Sequence, residues 1–463
     1  MRSKNSSQKS WVRIRTRSTL LRLEHDDNKC QLLPGHNELS YENQRLVLED
    51  TSLERIAQEV GTPVYCYSSS VLRHNFNRFE LACRRTAPLI CFAVKANSNL
   101  AVLKLLASMG SGADVVSEGE LRKALLAGIP ANKIVFAGVG KKASEIRFAI
   151  ESGILQFNVE SEAELEEIST EARRLNTKTG VALRVNPDVD AKTNAKITTG
   201  TKSSKFGIPI SRASSLYERV ESDDVLEPRG LSVHIGSQLT TLDPFRHAFK
   251  QLVQLVRQLR EEGMSVPAID LGGGLGVSYN NERIPALEEY GDLVQSITED
   301  LDCQVILEPG RSLIAQAGIL LSEVILRKSQ EERSFVVLDA AFNDLLRPGL
   351  YDAYHRIIPV SLPANDAGGH RFDFVGPVCE SSDTFCLDEE STDLATGDLV
   401  AILTAGAYGA VMASTYNTRP LVPEVLVHGD RFAVVRRRET YEEMFNRDQL
   451  PDWMKDQATE STR

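Results

Sequence analysis

From residue 89 onward, short runs of apolar residues alternate with longer stretches whose apolar positions recur with helical spacing, such as ELRKALLAG and AFKQLVQLVRQLREEG. Apolar runs of four to eight residues bounded by turn signals read as buried strands, and the segments between them as amphipathic helices. The runs are LICFAV (89–94), ADVV (113–116), KIVFAG (133–138), LQFNV (155–159), VALRV (181–185), GLSVHIG (230–236), AIDLG (268–272) and CQVILE (303–308). Eight strand–helix units over about 250 residues predict a (β/α)8 barrel of the TIM type, spanning 66–315. Beyond it the pattern changes to alternating strands with turn residues, FVVLDA, RFDFVGPVC, DLVAILTAG, EVLVHGD and RFAVVRRR, which predict a second, β-rich domain over 316–450. Residues 38–65 supply a strand and a short helix that join this domain, the helix started by the Asp50, Thr51 and Ser52 cluster. Polar tails are expected at 1–37 and 451–463.

Length agrees with two units, because a single core stops growing at roughly 250–300 residues and the chain has 463. The formal charge of -11 is unevenly spread: residues 1–22 carry seven lysines and arginines and no acid, so the body is more acidic than the total. Such a body repels phosphate backbones, which excludes nucleic acid as a partner class. The longest uncharged stretch, 399–418, is broken by Gly406, Gly409, Ser414 and Asn417 and reads as strand plus loop, so no membrane segment is expected. Seven scattered cysteines without a CxxC pair argue against disulfides and against a metal site, and point to a reducing compartment such as the cytoplasm. The Arg- and Ser-rich head has the composition of a loose tail or of an organelle transit peptide.

In a barrel of this kind the active site lies at the C-terminal strand ends, so position within each unit is informative. Lys95 closes the first strand, Asp114 lies in the second, His234 and Ser237 follow the sixth, Gly272, Gly273 and Gly274 follow the seventh, and Glu308, Gly310 and Arg311 follow the eighth. A lysine ending an apolar run is expected to have its pKa lowered by desolvation, which suits Schiff-base chemistry; read alone, it is also the first solvated residue past a strand. Read alone, GGGLG is a tight turn and His234 a core histidine. Their convergence on one barrel mouth, amine, imidazole, carboxylate, arginine and glycine turn together, describes a site for a phosphorylated aldehyde cofactor.

CFAVKAN, GADVVSEGEL, VNPDVDAKTNAKITTGTKSSKFGI, HIGSQ, DLGGGLG, EPGRS, LLRPGLYDAYHRI, GPVCESSD and AGAYGAVMASTYNTRP, in this order, closely resemble the fold-type III pyridoxal-phosphate decarboxylases over roughly 38–455. The resemblance is strongest to the branch acting on meso-2,6-diaminopimelate. It implies pyridoxal 5'-phosphate as cofactor, with Lys95 bound to its aldehyde, His234 stacked on its ring and Glu308 paired with its pyridine nitrogen. It places Asp114, Ser237, Gly273, Gly274, Pro309, Gly310, Arg311 and Tyr408 around the ring and phosphate. It also implies that Arg347 and Tyr351 in RPGLY, with Arg311 and Tyr408, meet the substrate's distal carboxylate, and that Glu380 takes the distal ammonium. Without their flanking matches, Arg347 and Tyr351 would read as a surface helix face.

Cys379 matches the proton donor, which in that family reaches the active site of the neighbouring subunit, so a homodimer with shared sites is implied. The product would be L-lysine. A diamine-forming relative acting on ornithine has no distal carboxylate to bind, and a racemase of this fold places an arginine where Glu308 stands. Asn194, Thr415 and Leu421 depart from the commonest family pattern.

Overall fold

The computed structural model describes residues 30–31, 38–189, 199–200, 204–330, 333–363 and 369–455. Eight parallel strands form the barrel: β1 (Leu89–Ala93), β2 (Gly112–Val115), β3 (Ile134–Phe136), β4 (Gln156–Val159), β5 (Thr179–Asn186), β6 (Leu226–Ser232), β7 (Ala268–Asp270) and β8 (Gln304–Leu307). Each pairs with its sequence neighbour, and β8 pairs with β1 through Ile306↔Leu89 and Leu307↔Ile90, which closes the ring. A closed ring leaves no open edge. The strands stand where the apolar runs predict them, with one difference of consequence. β6 ends at Ser232, so His234 and Ser237 sit on the loop beyond it and can turn toward the mouth.

The helices between the strands bury one face each. Asp243–Glu261, with Pro244 in its first turn, buries Phe245, Phe249, Leu252, Val256 and Leu259. Glu118–Ala127 is capped by the Ser117 side chain and stopped by Gly128 at φ 89°, a left-handed position that glycine adopts without strain. On the outer face of the ring, toward the helices, Phe136 and Phe157 stack at 5.9 Å between centroids.

The second unit is a nine-stranded sheet whose spine is the long strand Gly318–Ser329. Strand Val64–Ser68 straddles the expected start of the barrel at Cys66, yet it pairs antiparallel with Gly318–Leu321 and parallel with Glu424–Val427, wholly within this sheet. The helix Leu53–Val60 before it is capped by Ser52, whose hydroxyl accepts from the Arg55 N–H. Three strands of this sheet have no counterpart in the sequence reading: Gly318–Ser329, an apolar run turning charged halfway, the short Ile357–Pro359 and the acidic Thr384–Ser391.

The two units are locked together beside the barrel mouth. The buried Glu424 carboxylate accepts from Tyr67 Oη (2.8 Å) and Asn99 Nδ2 (3.0 Å). Tyr408 N–H donates to Ala96 O at 2.8 Å. Gly406 lies so close to the barrel backbone that a Cβ there would fall 2.0 Å from Ile314 O. No helix among the described residues is long and apolar enough to cross a membrane.

Candidate active site

A cavity of about 750 Å³ opens at the C-terminal ends of the barrel strands, where the second unit overhangs it. Its inner end is acidic. Lys95, in the turn after β1, donates to Asp114 Oδ2 at 2.6 Å. Asp114, Asp270 and Glu308 are all buried there. Asn158, from β4, bridges the last two: its Nδ2 donates to Asp270 Oδ2 (2.8 Å) and Glu308 Oε1 (3.2 Å).

Three buried carboxyl groups around one amine cannot all ionise. Burial, with Asp114 and Asp270 beside it, pushes the Glu308 carboxyl well above the usual range, so it holds a proton more tightly than a free carboxyl does. The amine is the converse, and a correction to the sequence reading. Burial pulls the Lys95 pKa down as expected, but Asp114 and Glu308 outweigh it and hold the amine above its ordinary value. Lys95 is therefore held as a cation.

His234 is held neutral, since burial and the nearby Arg184 and Lys95 drive its pKa well below the ordinary value. Its Nδ1 accepts from Gly273 N–H at 3.2 Å, which puts the ring proton on Nε2. Gly273 and Gly274 lie against neighbouring strands: a Cβ would stand 2.1 Å from Glu308 O and 2.4 Å from Gly236 O, respectively. Pro309 O accepts from Ala93 N–H at 3.0 Å and so ties the end of β8 to β1. Gly310, Ser237, Tyr351 and Tyr408 also line the cavity.

The outer end is basic. Arg311 donates to Tyr279 Oη (2.6 Å) and Ser237 Oγ (3.1 Å) and lies 4.8 Å from the Tyr408 ring centroid. Arg347, on the short helix Arg347–Tyr351, stacks 4.5 Å from the Tyr279 ring and donates to His355 Nε2 at 2.8 Å. It is buried, not on a surface helix face. Neither guanidinium has a carboxylate within ion-pair distance among the described residues, and the buried Nε of each has no partner.

Cys379 and Glu380 do not line this cavity. They sit on an exposed loop of the second unit, where Cys379 N–H donates to Asn417 Oδ1 (3.4 Å) and Glu380 accepts from Tyr416 Oη (2.9 Å). The loop is pinned by the buried Asp383 carboxylate, which accepts from Val378 N–H (2.6 Å) and Phe342 N–H (2.7 Å). Among the described cysteines Cys379 alone is exposed. Thr415 precedes the turn Tyr416–Thr418 and Leu421 follows it, whereas Asn194 lies outside the described residues.

Residues 70–315 match the model of the pyridoxal-dependent decarboxylase family's pyridoxal binding domain. A curated diaminopimelate decarboxylase of Zymomonas mobilis is 47% identical over 420 residues, covering 90% of this chain and 99% of its own. The chain belongs to the diaminopimelate decarboxylase family. Solved family members share its fold over most of the chain. The enzyme of M. jannaschii, in complex with L-lysine, gives a TM-score of 0.86 at 36% identity, covering 90% of this chain and 99% of its own. That of Helicobacter pylori, also with L-lysine, gives 0.82 at 41%, covering 85% and 98%.

The residues present suit the family's pyridoxal phosphate. There is an amine at the inner end, a buried acid of raised pKa able to face a heterocyclic nitrogen, a flat neutral imidazole, and a glycine cradle that any side chain would fill. The orphaned Asp114 Oδ1 and Arg311 Nε are buried polar atoms that a polar ligand would satisfy.

Sequence reasoning missed Asp270, Asn158, Tyr279 and His355. A polar residue inside an apolar barrel strand was a signal for the first two, the same signal that singles out Asp114. Nothing local marks Tyr279, on the loop after β7, or His355, on the loop that leads into the short strand Ile357–Pro359.

Proposed function

We propose that the chain removes carbon dioxide from the D centre of meso-2,6-diaminopimelate and releases L-lysine, the last step of lysine biosynthesis by that route. The observation that carries this reading is the pair of buried guanidiniums, Arg311 and Arg347, facing one cavity without carboxylate partners among the described residues. A buried charge without a partner costs several kcal/mol, so two of them together call for an anionic ligand. A phosphate accounts for one and a second carboxylate on the substrate for the other. A diamine product of ornithine chemistry would leave Arg347 unmatched.

Bound in the cavity, pyridoxal phosphate supplies the electron sink for the carbanion left when carbon dioxide departs. Lys95 presents the amine that holds it, and Asp114, 2.6 Å away, is placed to accept the proton which that amine must lose before it can act as a nucleophile. Glu308, whose carboxyl binds a proton tightly, would pair with the pyridine nitrogen and keep it protonated. His234, kept neutral, offers an uncharged ring face. Ser237, Gly273, Gly274 and Gly310 would hold the phosphate, with Pro309 and Tyr408 beside them.

Arg347 and Tyr351 hold the distal carboxylate. Glu380 would take the distal ammonium and Cys379 would supply a proton at the reacting carbon, both contributed from a second copy of the chain, so the working unit is a homodimer with shared sites. Their exposure, and their distance from their own chain's cavity, support this arrangement. A reducing compartment keeps Cys379 a thiol.

Release of labelled carbon dioxide from meso-diaminopimelate, ornithine, lysine and arginine tests the reading. Turnover of the first alone is expected. Turnover of ornithine with none of diaminopimelate would overturn it.

A further inference from the structure

Arg347 is steered by a group that does not neutralise it. An arginine only donates and a carbonyl only accepts, so the contacts of His355 settle its tautomer. Nε2 accepts from Arg347 Nη1 at 2.8 Å, and Nδ1–H donates to Leu403 O at 2.9 Å. His355 is fully buried, and its ring meets Tyr279 edge-on at 5.2 Å, the same ring on which the Arg347 guanidinium stacks. Burial and the two arginines push its pKa down to about 3, against a smaller opposing contribution from Leu403, so it stays neutral. The guanidinium is thus fixed at one edge by His355 and on one face by Tyr279, while its buried Nε has no partner.

We infer that His355 is a positioning residue that aims Arg347 at the carboxylate of the far end of the substrate, and so sets selectivity for a ligand carrying that carboxylate over a diamine. The inference rests on the reading of Arg347 given above. A carboxylate in the place of His355 would orient Arg347 equally well but would satisfy its charge and compete with the ligand. A neutral acceptor orients it and leaves the charge available. The path runs from the Leu403 backbone through the imidazole to the guanidinium, and each link is a hydrogen bond of ordinary length.

The test uses holoenzyme and two inhibitors, L-lysine, which retains the carboxylate, and 1,5-diaminopentane, which has none. In His355→Asn the amide can replace the Nδ1–H bond to Leu403 but cannot reach Arg347. In His355→Gln the amide oxygen can stand near the Nε2 position and accept from Arg347. The Asn variant is expected to weaken L-lysine about tenfold while leaving 1,5-diaminopentane within about twofold, and the Gln variant to recover most of the loss. Parallel weakening of both ligands, an unchanged ratio, or better rescue by Asn than by Gln would overturn the inference and leave His355 a structural tie to Leu403.

Arg347→Gln separates the two readings. If it leaves the ratio untouched, the assignment of Arg347 fails. If it collapses the ratio while His355→Asn does not, only the role of His355 fails. Should the Asn variant not fold, His355→Glu carries the test: an ion pair with Arg347 fills the site, and the same selective loss of L-lysine is expected, with an unchanged ratio overturning it.

Discussion

The two ends of the cavity are built with opposite charge and by different means. At the inner end, Asp114, Asp270 and Glu308 crowd one amine, all supplied by barrel strands or the residues just after them, and they share protons and hydrogen bonds with one another. At the outer end Arg311 and Arg347 stand on either side of Tyr279, fixed by hydroxyls and a neutral imidazole. Each end therefore has a surplus that the described residues do not cancel. Buried surplus charge destabilises a fold, so each surplus describes the complement of what binds there: a protonatable nitrogen inside, anionic groups outside.

The sharpest way to break the inner end is to remove its amine. Lys95→Ala is expected to lower turnover by about 10³-fold or more, with loss of the imine absorbance of the bound cofactor; activity within tenfold of wild type would remove Lys95 from the chemistry. Next in size, Cys379→Ala is expected to lower turnover by about 10²-fold or more. Because the thiol is proposed to act in the other subunit, coexpressing Lys95→Ala and Cys379→Ala chains should restore about a quarter of wild-type activity, from the one intact site in each mixed dimer. No recovery in isolated mixed dimers would place both groups in one chain's site. Glu308→Gln, which removes the shared proton yet keeps the shape, is expected to cost about 10²-fold in kcat while cofactor remains bound. An unchanged kcat would mean that the acidity of the inner end serves only to hold Lys95.

The contrast between the ends also explains what could be read from the chain beforehand. Barrel strands have strict lengths and burial, so Lys95, Asp114 and Glu308 stand out as polar residues at the ends of apolar runs. The direction of the Lys95 pKa did not follow, because it depends on Asp114 and Glu308, which are 19 and more than 200 positions away in sequence but adjacent in the ring. The outer end leaves no periodic trace. Arg347 and Tyr351 were reached through their resemblance to known motifs, and Tyr279 and His355 not at all, since packing between a barrel loop and a loop of the second unit creates their role. The strand Gly318–Ser329 was missed for a related reason: its charged half pairs with Ser334–Leu338, and only the fold shows that partner.

The smallest effect tests how far the acidity of the inner end spreads. Glu120, on the helix after β2, accepts from Val116 N–H at 2.8 Å. Burial chiefly, with Asp114 adding to it and Lys95 and Lys123 opposing, raises its pKa from 4.5 to about 7. A carboxyl with a raised folded pKa binds its proton more tightly in the native state, so the stability it contributes is present below about 4.5 and lost as pH rises through about 7. Glu120→Gln cannot ionise but can still accept from Val116. Its melting midpoint should match wild type near about pH 5 and exceed it by about 2 °C near about pH 8.5. An equal difference at both pH values would trace the effect to packing, and would confine the acidic surplus to Asp114, Asp270 and Glu308.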